Sequence, residues 1–222
     1  MKYLISPMLV LAALIANGQD PQPLPARSIF KISPQHFTQR QLKIGFERLN
    51  RSYSQSLSLY LNGLLAWSDD YGYEEDYSGL GAELQYRKYL VPLAGRTTKK
   101  GNTYYRGIYF SGYLQGGRYS GTQSGTSYNY DHSTGTSTST PYNYKEDIGN
   151  WGGGFTFGFQ QTLWSKIFFE VYIGGGLQFA DRNTSGNVPD SPYYYYFYDS
   201  GITALDYQGI LPKIGLQVGI GL

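Results

Sequence analysis

Histidine occurs twice in the 222-residue chain, at His36 and His132, and cysteine does not occur at all. That excludes thiolate catalysis, disulfides, iron–sulfur ligation and lipoprotein acylation, and leaves no transition-metal cluster of ordinary spacing. His36, with Ser68, Asp69 and Asp70 further along, offers a base, a hydroxyl and a carboxylate, the groups an acyl transfer uses. Carboxylates crowd Asp69 to Asp76 and could hold Ca²⁺ or Mg²⁺, but the run lacks the alternating ligands and the glycine of an EF-hand loop. Neither pattern suffices to assign a site. The expectation is no catalytic residue, no metal and no cofactor.

A third constellation has a different character. Lys43, Glu47, Glu83, Arg87, Glu170 and Lys213 all sit in alternating stretches, always on the less apolar side. Three charges of each sign on one buried face are expected to pair with one another and with Tyr60, Tyr89, Tyr109, Tyr113 and Tyr172 on the same side. The functional alternative makes Glu47, Glu83 and Glu170 acid/base or proton-relay groups.

The elements that must hold these side chains are strands. Ile167 to Ala180 places Ile167, Phe169, Val171, Ile173, Leu177 and Phe179 on one face, with Glu170, Tyr172 and Gln178 opposite, a period of two. Ser54 to Ser68, Gly79 to Val91 and Ile210 to Leu222 repeat the pattern, and Gln41 to Asn50, Tyr104 to Arg118 and Ile148 to Leu163 follow it. These make seven strands, most of them at least the 9–11 residues that a tilted strand needs to cross a bilayer. Single-chain bacterial barrels have an even count, so the short Ser28 to Ile32 is taken as the first strand.

Connection lengths alternate. Asn50 to Tyr53 and Trp164–Ser165 are tight and Pro92 to Asn102 moderate, whereas Ser68 to Ser78, Ser120 to Asp147 and Asp181 to Asp206 are long and polar. Within the second of these, Gly121 to Thr140 is expected to be a mobile tract. The long connections hold twelve of the 16 acids, while Arg51, Arg96, Lys99, Lys100 and Lys166 occupy the opposite rim, so the two ends face different surroundings. A soluble barrel needs bulky apolar residues inside; here the Leu, Ile and Phe face suits lipid, and the Gly, Ser, Gln, Tyr and charged face suits a lumen. The fold class is therefore all-β: an eight-stranded antiparallel transmembrane β-barrel with short periplasmic turns and long extracellular loops.

Composition agrees. Charged residues are 15% and aromatic residues 17% of the chain, with 24 Tyr and 29 Gly, which fits neither a disordered chain nor an ordinary cytosolic domain. A net charge of +2 argues against a nucleic-acid partner, and no 18-residue apolar run could span a membrane as a helix. Tyr3 to Ala16 reads as the apolar region of a signal peptide, with Ala16 and Gly18 preceding a cleavage site. The expected organisation is residues 1–18 as leader, 19–27 as a periplasmic segment and 28–222 as an outer-membrane barrel.

Over nearly all of the mature chain, the sequence resembles the small eight-stranded outer-membrane proteins of the OmpA and OmpX type, and more closely a barrel family common in Bacteroidota. The resemblance is carried by Ser28-Ile29-Phe30-Lys31-Ile32-Ser33-Pro34, Ile44-Gly45-Phe46-Glu47-Arg48, Glu83 to Leu90 and Pro212 to Gly219. It implies a monomer in the bacterial outer membrane, in contact with lipopolysaccharide and inserted through its C-terminal strand by the barrel-insertion machinery. The better-known barrels usually end in Phe, whereas this chain ends in Leu222. His36 with Ser68, Asp69 and Asp70 is also similar in placement to the catalytic groups of outer-membrane lipid A palmitoyltransferases, but those carry an apolar acyl pocket and this lumen is polar.

Tyr71, Tyr73, Tyr77, Tyr193, Tyr194, Tyr195, Tyr196 and Tyr198 are the candidates for surface-loop binding, since tyrosines offer large contact area with a polar tip at small entropic cost. The alternative is an aromatic belt at the membrane surface. The expected role is structural or interactive: membrane stabilisation, loop presentation or accessory subunit to an outer-membrane protein partner, with the lumen closed by paired charges. The alternatives are a small-solute or lipid transporter and a lipid A acyltransferase.

Overall fold

The computed structural model describes residues 27–39, 41–64, 74–97, 103–131, 133, 135–164, 166–188 and 207–222. Eight strands form one closed ring: β1 (Ser28–Ile32), β2 (Gln41–Leu49), β3 (Gln55–Leu64), β4 (Glu74–Thr97), β5 (Thr103–Asp131), β6 (Thr136–Trp164), β7 (Ile167–Asn187) and β8 (Gly209–Gly221). Each strand pairs antiparallel with the next, and β8 returns to β1. A short 3-10 helix, Pro34–Gln39, joins β1 to β2. The leader expected at residues 1–18 and the segment at 19–27 lie outside the described residues except for Arg27.

The alternation read from the sequence becomes two surfaces. Leu57, Leu59 and Leu61 on β3, Leu80 and Leu84 on β4, and Ile173 and Leu177 on β7 face outward, each with about half or more of its surface exposed. Their strand neighbours Ser56, Ser58, Tyr60, Glu83, Gln85, Tyr172 and Gln178 are buried inside. Trp151 stacks on Phe179 at 4.5 Å between ring centroids, on the outer surface. An exterior this rich in Leu, Ile and Phe is suited to hydrocarbon, and the closed ladder joins the backbone polar groups of neighbouring strands wherever two strands stand side by side.

Strand lengths depart from the sequence reading. The polar connection expected over Ser120 to Asp147 is instead mostly a continuation of β5 and β6, which pair without a break out to Asp131 opposite Thr136. Its Thr and Tyr residues favour strands, and a register already fixed at membrane level extends outward with no further loop to close. The wall is therefore uneven. β1, β2 and β3 have 5, 9 and 10 residues, while β5 and β6 have 29 each and project far beyond them.

Glycine and tyrosine, the two most over-used residues, are cross-strand partners. Gly45 lies opposite Tyr60, Gly79 opposite Tyr119, Tyr77 opposite Gly121, Tyr109 opposite Gly158 and Tyr172 opposite Gly215. In each pair, a side chain added to the glycine would run into the tyrosine ring. The ring lies flat along the inner wall where its partner lacks a Cβ, the arrangement by which aromatics cover glycines in curved sheets.

Gly45→Ala should accordingly lower stability in micelles by about 1–3 kcal/mol through overpacking against Tyr60. Gly149→Ala, where a methyl meets nothing within 4 Å, should be neutral or mildly stabilising. Urea titrations followed by tyrosine and tryptophan fluorescence compare the two, and equal losses would refute the pairing argument.

Candidate functional site

The lumen is where the sequence concentrated its charges, and the structure arranges them in layers. At the end carrying the tight turns, Ile29, Leu49, Leu93, Tyr105 and Phe168 form an apolar cluster with Tyr53 packed against it. The Asn50 side chain accepts hydrogen bonds from the backbone N–H of Ser54 and Gln55, and Tyr53 takes a left-handed φ of 53° to close that turn.

Above the apolar floor lies a four-charge network. Lys31 on β1 pairs with Glu47 on β2 at 2.5 Å and with Glu170 on β7. Arg87 on β4 pairs through Nη1 with Glu170 at 2.9 Å and Glu47 at 3.5 Å. The remaining lone pairs are also used: Tyr89 donates to Glu47 at 2.8 Å, Tyr109 to Glu170 at 2.7 Å, and Ser56 to Glu47. Arg87 Nη2 donates to the Tyr60 hydroxyl at 2.6 Å, and its Nε to Gln85 at 3.0 Å. All four charged side chains are at most 2% exposed, so the pairing is one of fully dehydrated ions.

A second ionic layer follows toward the long-loop end. Lys43 on β2 and Lys213 on β8 converge on one oxygen, Glu83 Oε2, at 2.6 and 2.9 Å. Lys213 also donates to Gln115 at 3.0 Å and lies 3.5 Å over the Tyr113 ring. His36, in the connection between β1 and β2, stands beside this group. The outermost layer contains Tyr77, Tyr119 and Ile148, with Tyr77 donating to Glu146 at 2.7 Å and Arg182 paired to Glu146.

The six charges expected on the inner face all lie there and meet across the barrel. The expected balance does not hold, because no inward face was assigned to β1 and the expected set omitted Lys31. The signal was present: Lys31 lies between Phe30 and Ile32, and an alternating strand that sends Phe30 to lipid must turn its lysine inward. With Lys31 the inner set has four cations and three anions, a surplus of one. Gln85 and Gln217 are buried on the inner face where the alternation put them, but their part in the network, like the burial of Gln160, was not read from the sequence, since an uncharged amide in an alternating strand has no distinctive pattern.

Tyr77 is a correction. Expected as a surface-loop contact, it is buried in β4 and hydrogen-bonded to Glu146, because β4 begins at Glu74, ahead of the expected strand, and its inward parity continues outward. Glu146 likewise was expected in a solvated loop and is buried in β6. Tyr71, Tyr73, Tyr193, Tyr194, Tyr195, Tyr196 and Tyr198 lie outside the described residues, as do Ser68, Asp69, Asp70 and His132. Among the described residues no group of three or more His, Asp and Glu could hold a metal ion.

No protein-family model and no curated protein sequence matches this chain. Among solved structures it is similar to the crystal structure of Acinetobacter baumannii CarO, at 12% identity over 89% of this chain and 98% of that one, with a TM-score of 0.46.

Removing one member of the dehydrated network should be costly. Lys31→Met leaves Glu47 and Glu170 with only Arg87 between them and is expected to lose about 3–5 kcal/mol. Lys145→Met, which breaks a 3.5 Å pair whose side chains are more than half exposed, should lose no more than about 0.5 kcal/mol. Thermal unfolding in micelles distinguishes the two, and a Lys31 variant as stable as the Lys145 variant would mean that the network contributes little.

Proposed function

We propose that the protein is an integral outer-membrane β-barrel with a structural or interaction role, and that its lumen is plugged. The supporting observation is the Lys31–Glu47–Arg87–Glu170 network, dehydrated and bonded from side to side above an apolar floor. Eight strands enclose just enough space for side chains to fill, and ions held this way leave no continuous path for water or solute. The role would be to stabilise the membrane in contact with lipopolysaccharide, to present surface loops, or to serve as the accessory subunit of an outer-membrane complex. Insertion would proceed through the C-terminal strand and the barrel-insertion machinery. The motifs resembling the OmpA and OmpX type and the Bacteroidota barrels support the same reading.

A specific observation favours interaction over stabilisation alone. β5 and β6 pair for 26 residue positions, from Arg106 with Gln161 to Asp131 with Thr136, so a hairpin stands far above the short β1 to β3 side. Stabilising a bilayer needs only the membrane-height part of that ladder, about 9–11 residues per strand.

A transporter would need an open path and an acyltransferase an apolar pocket for its acyl chain, and the polar, interlocked lumen supports neither. The test is electrophoretic and electrical. Folded protein in detergent should run faster unboiled than boiled and stay silent in planar bilayers. Equal mobility would sink the barrel, and steady conductance steps from the wild-type protein would overturn the plug. Native mass spectrometry of protein drawn from its own membrane then separates the roles, since a stoichiometric protein companion makes it a subunit.

A further inference from the structure

The ring is closed by its shortest strand. β1 pairs with β8 only from Ile29–Gly221 to Ile32–Val218, and with β2 only as far as Ile44. Beyond that level, Gly209 to Gln217 of β8 pair only with β7 and Gln41 and Leu42 of β2 only with β3, while the Lys43 carbonyl accepts one last bond from the Ser33 N–H at 3.0 Å. One strand is thus missing from the outer half of the wall. At about 4.8 Å between neighbouring strands, its absence separates β2 from β8 by about 10 Å. The Pro34–Gln39 helix takes its place and packs against both strands. Pro212, which has no N–H to give a ladder, falls within this stretch of β8, where one edge has no strand beside it.

The second ionic layer lies directly behind this notch. Lys43 is the first residue of β2 beyond its register with β1, and Lys213 lies in the matching part of β8. They hold the surplus charge of the lumen, because both ammonium groups rest on a single carboxylate oxygen whose partner oxygen is taken by Gln85. The four-charge network beneath and the Glu146–Arg182 pair above are each balanced, so neither compensates the surplus. At the foot of the notch, where β1 and β8 part, the next two inward-facing residues are Ser33 and Gln217, each 1% exposed. The Ser33 Oγ and the Gln217 Nε2 are buried with no hydrogen-bond partner, as is the Nδ1 of His36. A surplus positive charge beside idle buried donors is costly unless an acceptor completes it. Outside the notch, Phe37, Ile210 and Ile214 are apolar and at least half exposed, so the approach from the side runs along hydrocarbon.

We infer that the notch between β2 and β8 is a binding site for a phosphate-type oxyanion, held by Lys43 and Lys213 with Ser33 and Gln217 as neutral donors. Two sources share this chemistry: the headgroup of an anionic amphiphile entering sideways from the membrane, and free phosphate entering from the aqueous side. The inference goes beyond the plugged-barrel reading, because it concerns the wall and the outer lumen rather than a path through the lumen.

The test uses the full folded protein in a neutral maltoside detergent, with dodecyl phosphate and inorganic phosphate as separate probes and native mass spectrometry as the readout. One bound dodecyl phosphate with no inorganic phosphate supports lateral entry of an amphiphile, and one of either supports a site open to free anion. Lys213→Met removes the surplus and one charged donor and should weaken binding about tenfold or more. Ser33→Ala, a smaller change that keeps the barrel intact should the lysine variant fail to fold, should weaken it less. Glu83→Gln raises the local charge and should tighten it. No single-site binding of either probe, or unchanged affinity in both Lys213→Met and Glu83→Gln, overturns the inference. A heat-modifiable gel band retained by the same sample shows that the barrel reading survives that failure.

Discussion

A barrel of eight strands has no room for water around an ion at its centre, so each charge that points inward must find its partner across the lumen. This constraint organises the molecule. Glu47 and Glu170 come from β2 and β7, the cations between them from β1 and β4, and their four strands are spread around the ring. β1 depends on it most. With four backbone positions paired to β8 and five to β2, it is a weak seam, and Lys31 ties it through the interior to both sides.

Packing around the network follows from the same lack of space. Tyrosine brings a hydroxyl to the carboxylates and a ring to fill the gaps between strands, but a ring lying along the wall needs a partner position without a side chain. The glycines opposite Tyr60, Tyr109 and Tyr172 provide it. The abundance of both residue types in one chain is therefore one feature and not two. It also explains why the inner face of this barrel looks so little like a soluble core: its apolar content is confined to the floor around Ile29, Leu49, Leu93 and Phe168 and to a small outer cluster.

The uneven wall divides the molecule into two unlike halves. Its inner half is a regular barrel of eight paired strands. Its outer half is lopsided, with the β5–β6 hairpin standing high on one side and the β2–β8 notch on the other, where a short helix replaces β1. The proposed interaction role draws on the first feature and the proposed oxyanion site on the second. Both depend on strands ending at different heights.

Much of this was legible in the residues. Period-two alternation identified seven strands and their inward faces, and the even-count rule recovered β1 from Ser28 to Ile32, because a strand with one face in lipid and one in a lumen must alternate. The inward placement of Lys43, Glu47, Glu83, Arg87, Glu170 and Lys213 followed directly. Alternation carries no information about length once a strand leaves the membrane, since beyond it both faces can be polar. Hence Ser68 to Ser78 and Ser120 to Asp147 read as loops, with Tyr77 on the surface of the first and Glu146 on that of the second. Nor does it reveal which strands stand side by side at a given height. That Lys43 and Lys213 share Glu83, that Tyr and Gly face each other, and that β1 stops short and leaves its neighbours unpaired are matters of register around a closed ring. The sequence by itself determined which face each residue takes, a local property of a pleated chain; ring closure decided which residues meet, because side chains that bond across the lumen are up to 157 residues apart along the chain.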